Sequence, residues 1–146
     1  DIPGHTKGHI AYAFCADKAL FSGDTIFVLG CGRMFEGTAR QMWQSLLKLR
    51  ALDDDMRVFC AHEYSEENAR FATALEPHNR QIQIRAQHIR VLRNQGKATI
   101  PSLLGEEKQT NPFLRADDPD LAALIGMASR PAYECFGELR KRKDQF

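Results

Sequence analysis

Three ionisable side chains occur where predicted strands give way to turns. His5 follows Pro3-Gly4, Asp24 follows Gly23, and His62 comes directly after an apolar run. Imidazole and carboxylate are ligands that proteins use for zinc, iron and manganese, and one carboxylate can bridge two ions. These residue types indicate a metal site formed by His5, Asp24 and His62, with ordinary turn residues as the alternative that spacing alone leaves open.

The other histidines and the cysteines have simpler interpretations. His9 is predicted to support the local fold through hydrogen bonds, and His78 and His88 fall on the solvent side of helical patterns. The four cysteines form no CxxC pair, and such isolated cysteines in apolar company are typical of small hydrophobic residues in a reducing compartment. We therefore expect a cytoplasmic protein.

Basic side chains could bind an anion near these candidate ligands. Arg33 stands in a glycine-rich segment, and Arg140-Lys141-Arg142-Lys143 lies near the end of the chain. A guanidinium group can hold a carboxylate in a bidentate fork. The alternative for the terminal cluster is a solvated helix end, where the helix dipole favours cations.

The elements that position these residues differ between the two parts of the chain. Short apolar runs separated by turns predict strands at residues 10–15, 19–22, 26–29 and 57–61. The first two runs flank a polar turn and predict a hairpin. Thr38 with Gln41 forms a capping-box pattern that predicts a helix, and Ser65 is predicted to cap the next one.

From residue 77 onward the pattern is helical. Residues 82–94 have helical apolar spacing with Gly96 at the expected end. Pro101, Pro119 and Pro131 suit the first position of a helix, and no further strand is predicted. We therefore expect a partial α/β domain at residues 1–76 and an all-helical domain at 77–146.

Composition excludes several classes of protein. The chain has 146 residues, 20 basic and 19 acidic, for a formal net charge of +1, so no global attraction to nucleic acid or anionic lipid is expected. No apolar run approaches the roughly 20 residues that span a bilayer. The chain begins without Met in a turn-rich stretch, which predicts a fragment of a longer protein.

Several strings together resemble one family. They are Pro3-Gly4-His5-Thr6-x-Gly8-His9, Phe21-Ser22-Gly23-Asp24-Thr25-Ile26-Phe27, Gly30-Cys31-Gly32-Arg33-Met34-Phe35-Glu36-Gly37-Thr38, Cys60-Ala61-His62-Glu63-Tyr64 and Lys141-Arg142-Lys143-Asp144-Gln145-Phe146. In order and spacing they closely resemble glyoxalase II, the hydroxyacylglutathione hydrolase family of the metallo-β-lactamase fold superfamily. The third and fifth strings are the more specific to that family.

The resemblance implies a fold and a reaction. The fold is α+β, the second half of a four-layer αββα metallo-β-lactamase fold followed by a helical glutathione-binding domain. His5 and His62 resemble the terminal ligands of two divalent ions, zinc before iron or manganese, and Asp24 resembles the catalytic carboxylate that bridges them. Hydroxide held by the two ions hydrolyses S-D-lactoylglutathione to glutathione and D-lactate, in methylglyoxal detoxification.

The resemblance also implies a substrate site and a missing part. Arg33, Phe35, Tyr64, Arg140 and Lys143 fall at glutathione-contacting positions, and Phe35 replaces a tyrosine of some relatives. The family's Thr-His-x-His-x-Asp-His string does not occur in this chain. We therefore expect that an N-terminal segment of the same enzyme completes the site, and that this chain alone is inactive.

Two other functions remain open from the sequence. A mononuclear iron dioxygenase acting on glutathione persulfide resembles the first half, although the long helical tail argues against it. A non-enzymatic module could use Arg140 to Lys143 to bind nucleic acid, which the balanced net charge does not favour.

Overall fold

The computed structural model describes residues 1–146 and contains one main sheet, one small sheet and six α-helices. The main sheet has the strand order β1-β2-β5-β6, and the small sheet pairs β3 with β4. The strands are β1 (Tyr12–Phe14), β2 (Ala19–Gly23), β3 (Ile26–Phe27), β4 (Gly30–Cys31), β5 (Arg57–Cys60) and β6 (Ser102–Leu103). This is the predicted α+β architecture.

Most of the chain between and after the strands is helical. The helices are α1 (Ala39–Arg50), α2 (Ser65–Leu75), α3 (Arg80–Asn94), α4 (Leu104–Thr110), α5 (Pro119–Leu124) and α6 (Ala132–Gln145), with a 3₁₀ helix at Pro112–Leu114. None of these helices combines the length and the apolar character needed to cross a membrane.

The centre of the main sheet is a parallel pair. β2 runs parallel to β5, with Leu20 opposite Val58, whereas β1 and β6 pair antiparallel at the two edges. Leu20 and Val58 are buried on one face, while Phe21, next to Leu20, is exposed on the other. The hairpin of β1 and β2, predicted from two apolar runs that flank a polar turn, is confirmed.

The run at residues 26–29 does not form a single strand. Instead, β3 and β4 form a hairpin whose turn contains Leu29 in the left-handed region, at φ 55°. Side chains from the helical part of the chain hold this turn. Leu29 donates its backbone N–H to the Glu107 carboxylate, and the Asn111 amide donates to the carbonyls of Phe27 and Gly30. These partners lie far away in sequence, so the local apolar pattern could not reveal the turn.

The start of α1 agrees with the predicted local cap, whereas the start of α2 does not. Thr38 and Gln41 form the predicted capping box at the start of α1. Ser65, by contrast, does not cap α2, because the helix already begins at that residue. Its hydroxyl bonds with Glu63 and Thr99 instead, so the predicted cap is wrong.

The region after residue 76 is helical with one exception. Gly96 ends α3 at φ +69°, and Asp118 caps α5, which has Pro119 at its start, as predicted. The prediction of an all-helical region is wrong for β6, which pairs antiparallel with β5. A strand of two residues carries no periodicity, so only its pairing partner identifies it.

Two of the three prolines predicted to start helices do not do so. Pro101 precedes β6 and Pro131 immediately precedes α6, so neither is a first helical residue.

One hydrophobic core extends across both parts of the chain. Its 21 buried residues range from Ile2 to Leu139. Trp43 of α1 stacks on Phe136 of α6 with ring centroids 6.4 Å apart, and Phe136 also meets Phe113 edge-on. The domain boundary at residue 76 stays a prediction, but packing is continuous across it.

A buried carboxylate connects the helical part to the β3–β4 hairpin. The side chain of Glu107 is fully buried and bonds with the Arg85 guanidinium, with the Asn111 amide and with the backbone N–H of Leu29. The Arg85 side chain is itself only 10% exposed. Removing one partner of such a pair leaves an uncompensated buried charge.

We expect Glu107→Gln to lower the free energy of unfolding by about 3 kcal/mol, because Arg85 then remains buried without its counter-ion. The matched control is Glu106→Gln on the same helix, where the side chain is exposed and a change within about 0.5 kcal/mol is expected. Urea unfolding followed through the fluorescence of Trp43, the only tryptophan, measures both variants. Equal stabilities of the two variants would contradict this role.

Candidate metal centre and substrate cleft

Two of the three candidate ligands are brought together by the parallel strand pair. Gly23 at the end of β2 is in register with Cys60 at the end of β5, and Ala61 donates its N–H to the carbonyl of Gly23. Asp24 and His62 therefore follow the ends of two neighbouring parallel strands and lie at the same end of the sheet. Ends of strands are a rigid platform for ligands, because the sheet holds the backbone in place.

The Asp24 carboxylate lies between the two histidines. Its Oδ1 atom is 3.1 Å from Nε2 of His62, and its Oδ2 atom is 3.8 Å from Nε2 of His5. Each oxygen thus faces a different imidazole, as the ligand prediction requires. No group of three or more His, Cys, Asp or Glu side chains in the chain is arranged to hold a single ion. The three residues form two pairs that share one carboxylate.

The orientation of His5 fits a metal ligand. Its Nδ1 atom is 2.8 Å from the backbone carbonyl of Arg33, which can only accept a hydrogen bond, so Nδ1 carries a proton. In the neutral imidazole, Nε2 then presents a free electron pair on the side of Asp24. A cation between these two electron-pair donors would satisfy both, and a carbonyl behind the ring is the usual support of a metal-binding histidine.

His9 and Gly32 hold the backbone of Asp24 in place. The backbone N–H of Asp24 donates to Nε2 of His9 over 2.9 Å, which confirms the structural role predicted for that histidine. A Cβ atom at Gly32 would lie 1.9 Å from the carbonyl oxygen of Asp24. Only glycine allows this approach of the two backbones.

Aromatic rings and a carboxylate fix the loop that carries His62. The His62 ring stacks on Tyr64 with centroids 4.9 Å apart, and both rings meet Phe27. Glu63 accepts hydrogen bonds from the hydroxyl of Ser65 and from the backbone and hydroxyl of Thr99. The loop is therefore held on both sides of the histidine.

A cleft of about 480 Å³ opens beside the three ligands. It is lined by the eight residues that the family resemblance assigns to this site, namely His5, Asp24, Arg33, Phe35, His62, Tyr64, Arg140 and Lys143, whereas Lys141 and Arg142 of the basic cluster do not line it. Five further residues line it, namely Phe27, Cys31, Gly32, Glu67 and Asn68. The volume is in the range of small-molecule sites. The roles of the individual residues stay predictions, but their convergence on one cleft is a property of the fold.

The cations of the cleft already have partners within the chain. Arg140 is buried and donates to the carbonyl of Cys31 (2.8 Å) and to Asp144 (2.9 Å). Arg33 is 3.4 Å from the same Asp144 carboxylate, and Lys143 pairs with Glu67. The Nε atom of Arg140 is buried without a hydrogen-bond partner.

Neither cysteine near the cleft is a nucleophile. Burial raises the pKa of the Cys31 thiol to about 11, and burial likewise raises the pKa of the Cys60 thiol to about 11. At neutral pH both are neutral thiols, whereas the thiolate is the reactive form. Neither cysteine therefore presents a thiolate near neutral pH.

The residues that sequence reasoning missed have no distinctive local signal. Asn68 is buried and donates to the carbonyl of Val28, and a Cβ at Gly30 would collide with it. Glu67 and Asn68 lie on the first turn of α2, where acidic and amide residues are common for reasons of capping and helix dipole alone. Their position over the cleft depends on how α2 packs.

Comparisons with known proteins agree with this geometry. Residues 63–146 match the family model described as hydroxyacylglutathione hydrolase C-terminus, and residues 1–62 match the metallo-beta-lactamase superfamily. A hydroxyacylglutathione hydrolase of Methylococcus capsulatus is 54% identical over 146 residues, which is 100% of this chain and 57% of that protein. One of Rhodopseudomonas palustris is 56% identical over 144 residues, 99% of this chain and 56% of the relative. The chain thus spans little more than half the length of these relatives.

The fold has a solved counterpart. The 2.1 Å crystal structure of a metallo-beta-lactamase from Staphylococcus aureus subsp. aureus COL superposes with a TM-score of 0.50 and 24% identity, covering 97% of this chain and 37% of that one. This likeness concerns the fold alone. The family model covers more than half of the chain, and the chain therefore belongs to the hydroxyacylglutathione hydrolase family, within the metallo-β-lactamase superfamily.

Proposed function

We propose that the protein containing this chain hydrolyses the thioester of S-(2-hydroxyacyl)glutathione, with S-D-lactoylglutathione as the typical substrate, to glutathione and a 2-hydroxy acid. The observation that carries the proposal is the Asp24 carboxylate, which directs one oxygen to His5 and the other to His62 at the edge of a cation-lined cleft. Membership in the family supports it. The reaction is a step in methylglyoxal detoxification.

His5, Asp24 and His62 would hold two divalent ions, zinc first, with iron or manganese as alternatives that the same ligands accept. When bound, the ions supply Lewis acidity and make hydroxide available near neutral pH. Asp24 orients both coordination sites at once, because its two oxygens belong to one rigid group. The Arg33 carbonyl keeps His5 in the tautomer that leaves Nε2 free for metal.

The cleft beside the ligands is suited to the glutathione moiety. Arg33 and Lys143 supply positive charge for its carboxylates, while Phe35 and Tyr64, both largely exposed, supply flat apolar surface. Arg140 lines the same wall, and its role is to support the Cys31 segment as well as to add charge. We place this chemistry in the cytoplasm on the evidence of the unpaired cysteines and treat the substrate as a free small molecule.

A further segment of the same enzyme is needed to complete the site. Each ion would have one histidine and one shared carboxylate from this chain, whereas catalytic zinc generally has three protein ligands. The outer face of the main sheet supports the same view: Tyr12, Phe14 and Phe21 are exposed, and Phe21 stacks on Phe59 at 5.0 Å. An apolar face of this kind next to the edge strand β1 is typical of a surface that another segment covers.

We expect Asp24→Asn in the full-length protein to abolish retention of both metal ions, because a neutral amide cannot bridge two cations. Asp17→Asn, in the exposed β1–β2 turn, is the matched control and keeps its metal. Elemental analysis after gel filtration gives the metal content, and thioester hydrolysis is measured in the same samples. Two retained ions in the Asp24 variant would contradict the bridging role.

We also expect the 146-residue chain alone to show no measurable thioester hydrolysis with added zinc or iron, whereas the full-length protein is active. The reason is the shortage of ligands in each metal site. Trp43 fluorescence and circular dichroism establish that the isolated chain is folded before the assay. Turnover by the folded chain at the rate of the full-length protein would show that the missing ligands are not needed.

A further inference from the structure

Lys143 is a nearly buried cation of the cleft, and a single carboxylate pairs with it. Its side chain is 5% exposed and lies near the rings of Phe71 and Phe146. Glu67, in contact with the Lys143 ammonium, is 58% exposed. It is the one carboxylate within ion-pair distance of that ammonium. A ligand carboxylate that reaches Lys143 from the cleft therefore competes with Glu67 for the ammonium.

The Glu67 carboxylate has little else to hold it. Its hydrogen bond to Lys143 lowers the pKa of Glu67, so the group is charged at neutral pH. Ion pairs with an exposed partner are weak, because water and salt compete for the charges. The pair can therefore be exchanged for a similar pair with a ligand.

Asp144 differs from Glu67 in this respect. It bonds with Arg140 one helical turn earlier and is 3.4 Å from Arg33, so two cations share it. Arg140 is also bound to the carbonyl of Cys31. Asp144 thus belongs to a cross-linked arrangement between α6 and the hairpin segment, whereas Glu67 makes a single contact from an exposed position, where a ligand carboxylate can replace it as the counter-ion of Lys143.

The displaced carboxylate has a second cation within reach. Arg70 lies three residues further along α2, on the same side of the helix, and makes no ion pair of its own. The positive charge of Arg70 also lowers the pKa of Glu67, by less than the charge of Lys143 does. When a ligand displaces it, Glu67 therefore stays in the electric field of a second cation.

We propose that Glu67 is a displaceable counter-ion of Lys143, and that it sets the affinity of the cleft for anionic ligands by competing with their carboxylate. The inference rests on the proposed function for the identity of the ligand, a glutathione derivative. Glu67 is a specificity-determining residue here and takes no part in the reacting centre. With Glu67 in place, the cleft selects ligands whose carboxylate can compete for Lys143.

The test is Glu67→Gln in the full-length, metal-loaded protein. Glutamine keeps the shape of the side chain but lacks the negative charge, so it competes much more weakly for the ammonium. We expect the dissociation constant of S-methylglutathione, measured by isothermal titration calorimetry, to fall about fivefold, the change that one weak ion pair accounts for. This probe keeps both carboxylates of glutathione and lacks the thiol that would bind metal. For the thioester substrate, KM falls and kcat stays unchanged.

Two controls separate displacement from a general change in charge. Glu66→Gln removes the same charge one residue away, where the side chain lies 3.9 Å from Arg93 and outside the cleft, and should leave the dissociation constant unchanged. In a Lys143→Gln background, Glu67→Gln should lose most of its effect, because the pair is no longer there to be broken.

Three results would overturn the proposal: unchanged affinity in Glu67→Gln, weaker affinity, or an equal gain in Glu66→Gln. The first two would mean that Glu67 only supports Lys143, and the third that net charge alone governs binding. The calorimetric result is independent of turnover. If the full-length protein is inactive but binds the probe more tightly after Glu67→Gln, the proposed reaction is refuted and this inference is upheld. If the full-length protein is active but Glu67→Gln leaves probe binding unaltered, the proposed reaction is upheld and this inference is refuted.

Discussion

The parallel pairing of β2 with β5 is the constraint on which the site depends. It places Gly23 opposite Cys60, so that Asp24 and His62 emerge side by side although they are distant in sequence. His5 then reaches the same carboxylate from the N-terminal loop, held by the carbonyl of Arg33. A slip of this register would move Asp24 and His62 apart and turn side chains to the opposite face of the sheet.

The helical part of the chain supports the same region from behind. Glu107 and Asn111 hold the β3–β4 turn through its backbone groups, and Arg140 holds the carbonyl of Cys31 at the end of that hairpin. Gly32, the next residue, lies against the backbone of Asp24. A continuous chain of contacts therefore runs from the C-terminal helices to the candidate metal ligands, which explains why one core spans both parts.

The electrostatic character of the cleft follows from internal pairing rather than from its composition. Arg33, Arg140 and Lys143 would make a strongly cationic wall if they were free, but Asp144 and Glu67 offset two of their three charges. Such a wall binds an anion by exchange of partners. Affinity is then set by the difference between two ion pairs, and this makes the cleft more selective than a set of unpaired cations.

The sequence by itself determined the α+β class, the β1–β2 hairpin, the start of α1 and the candidate ligands His5, Asp24 and His62, because each of these depends on local periodicity, capping or side-chain chemistry. The family strings also pointed to eight of the thirteen residues that line the cleft. The tertiary structure alone decided the β3–β4 turn, the two-residue strand β6, the use of the Ser65 hydroxyl by Glu63 and Thr99, and the position of Glu67 on Lys143. Each of these is defined by a partner remote in the chain, and a local pattern carries no information about which distant group will supply it.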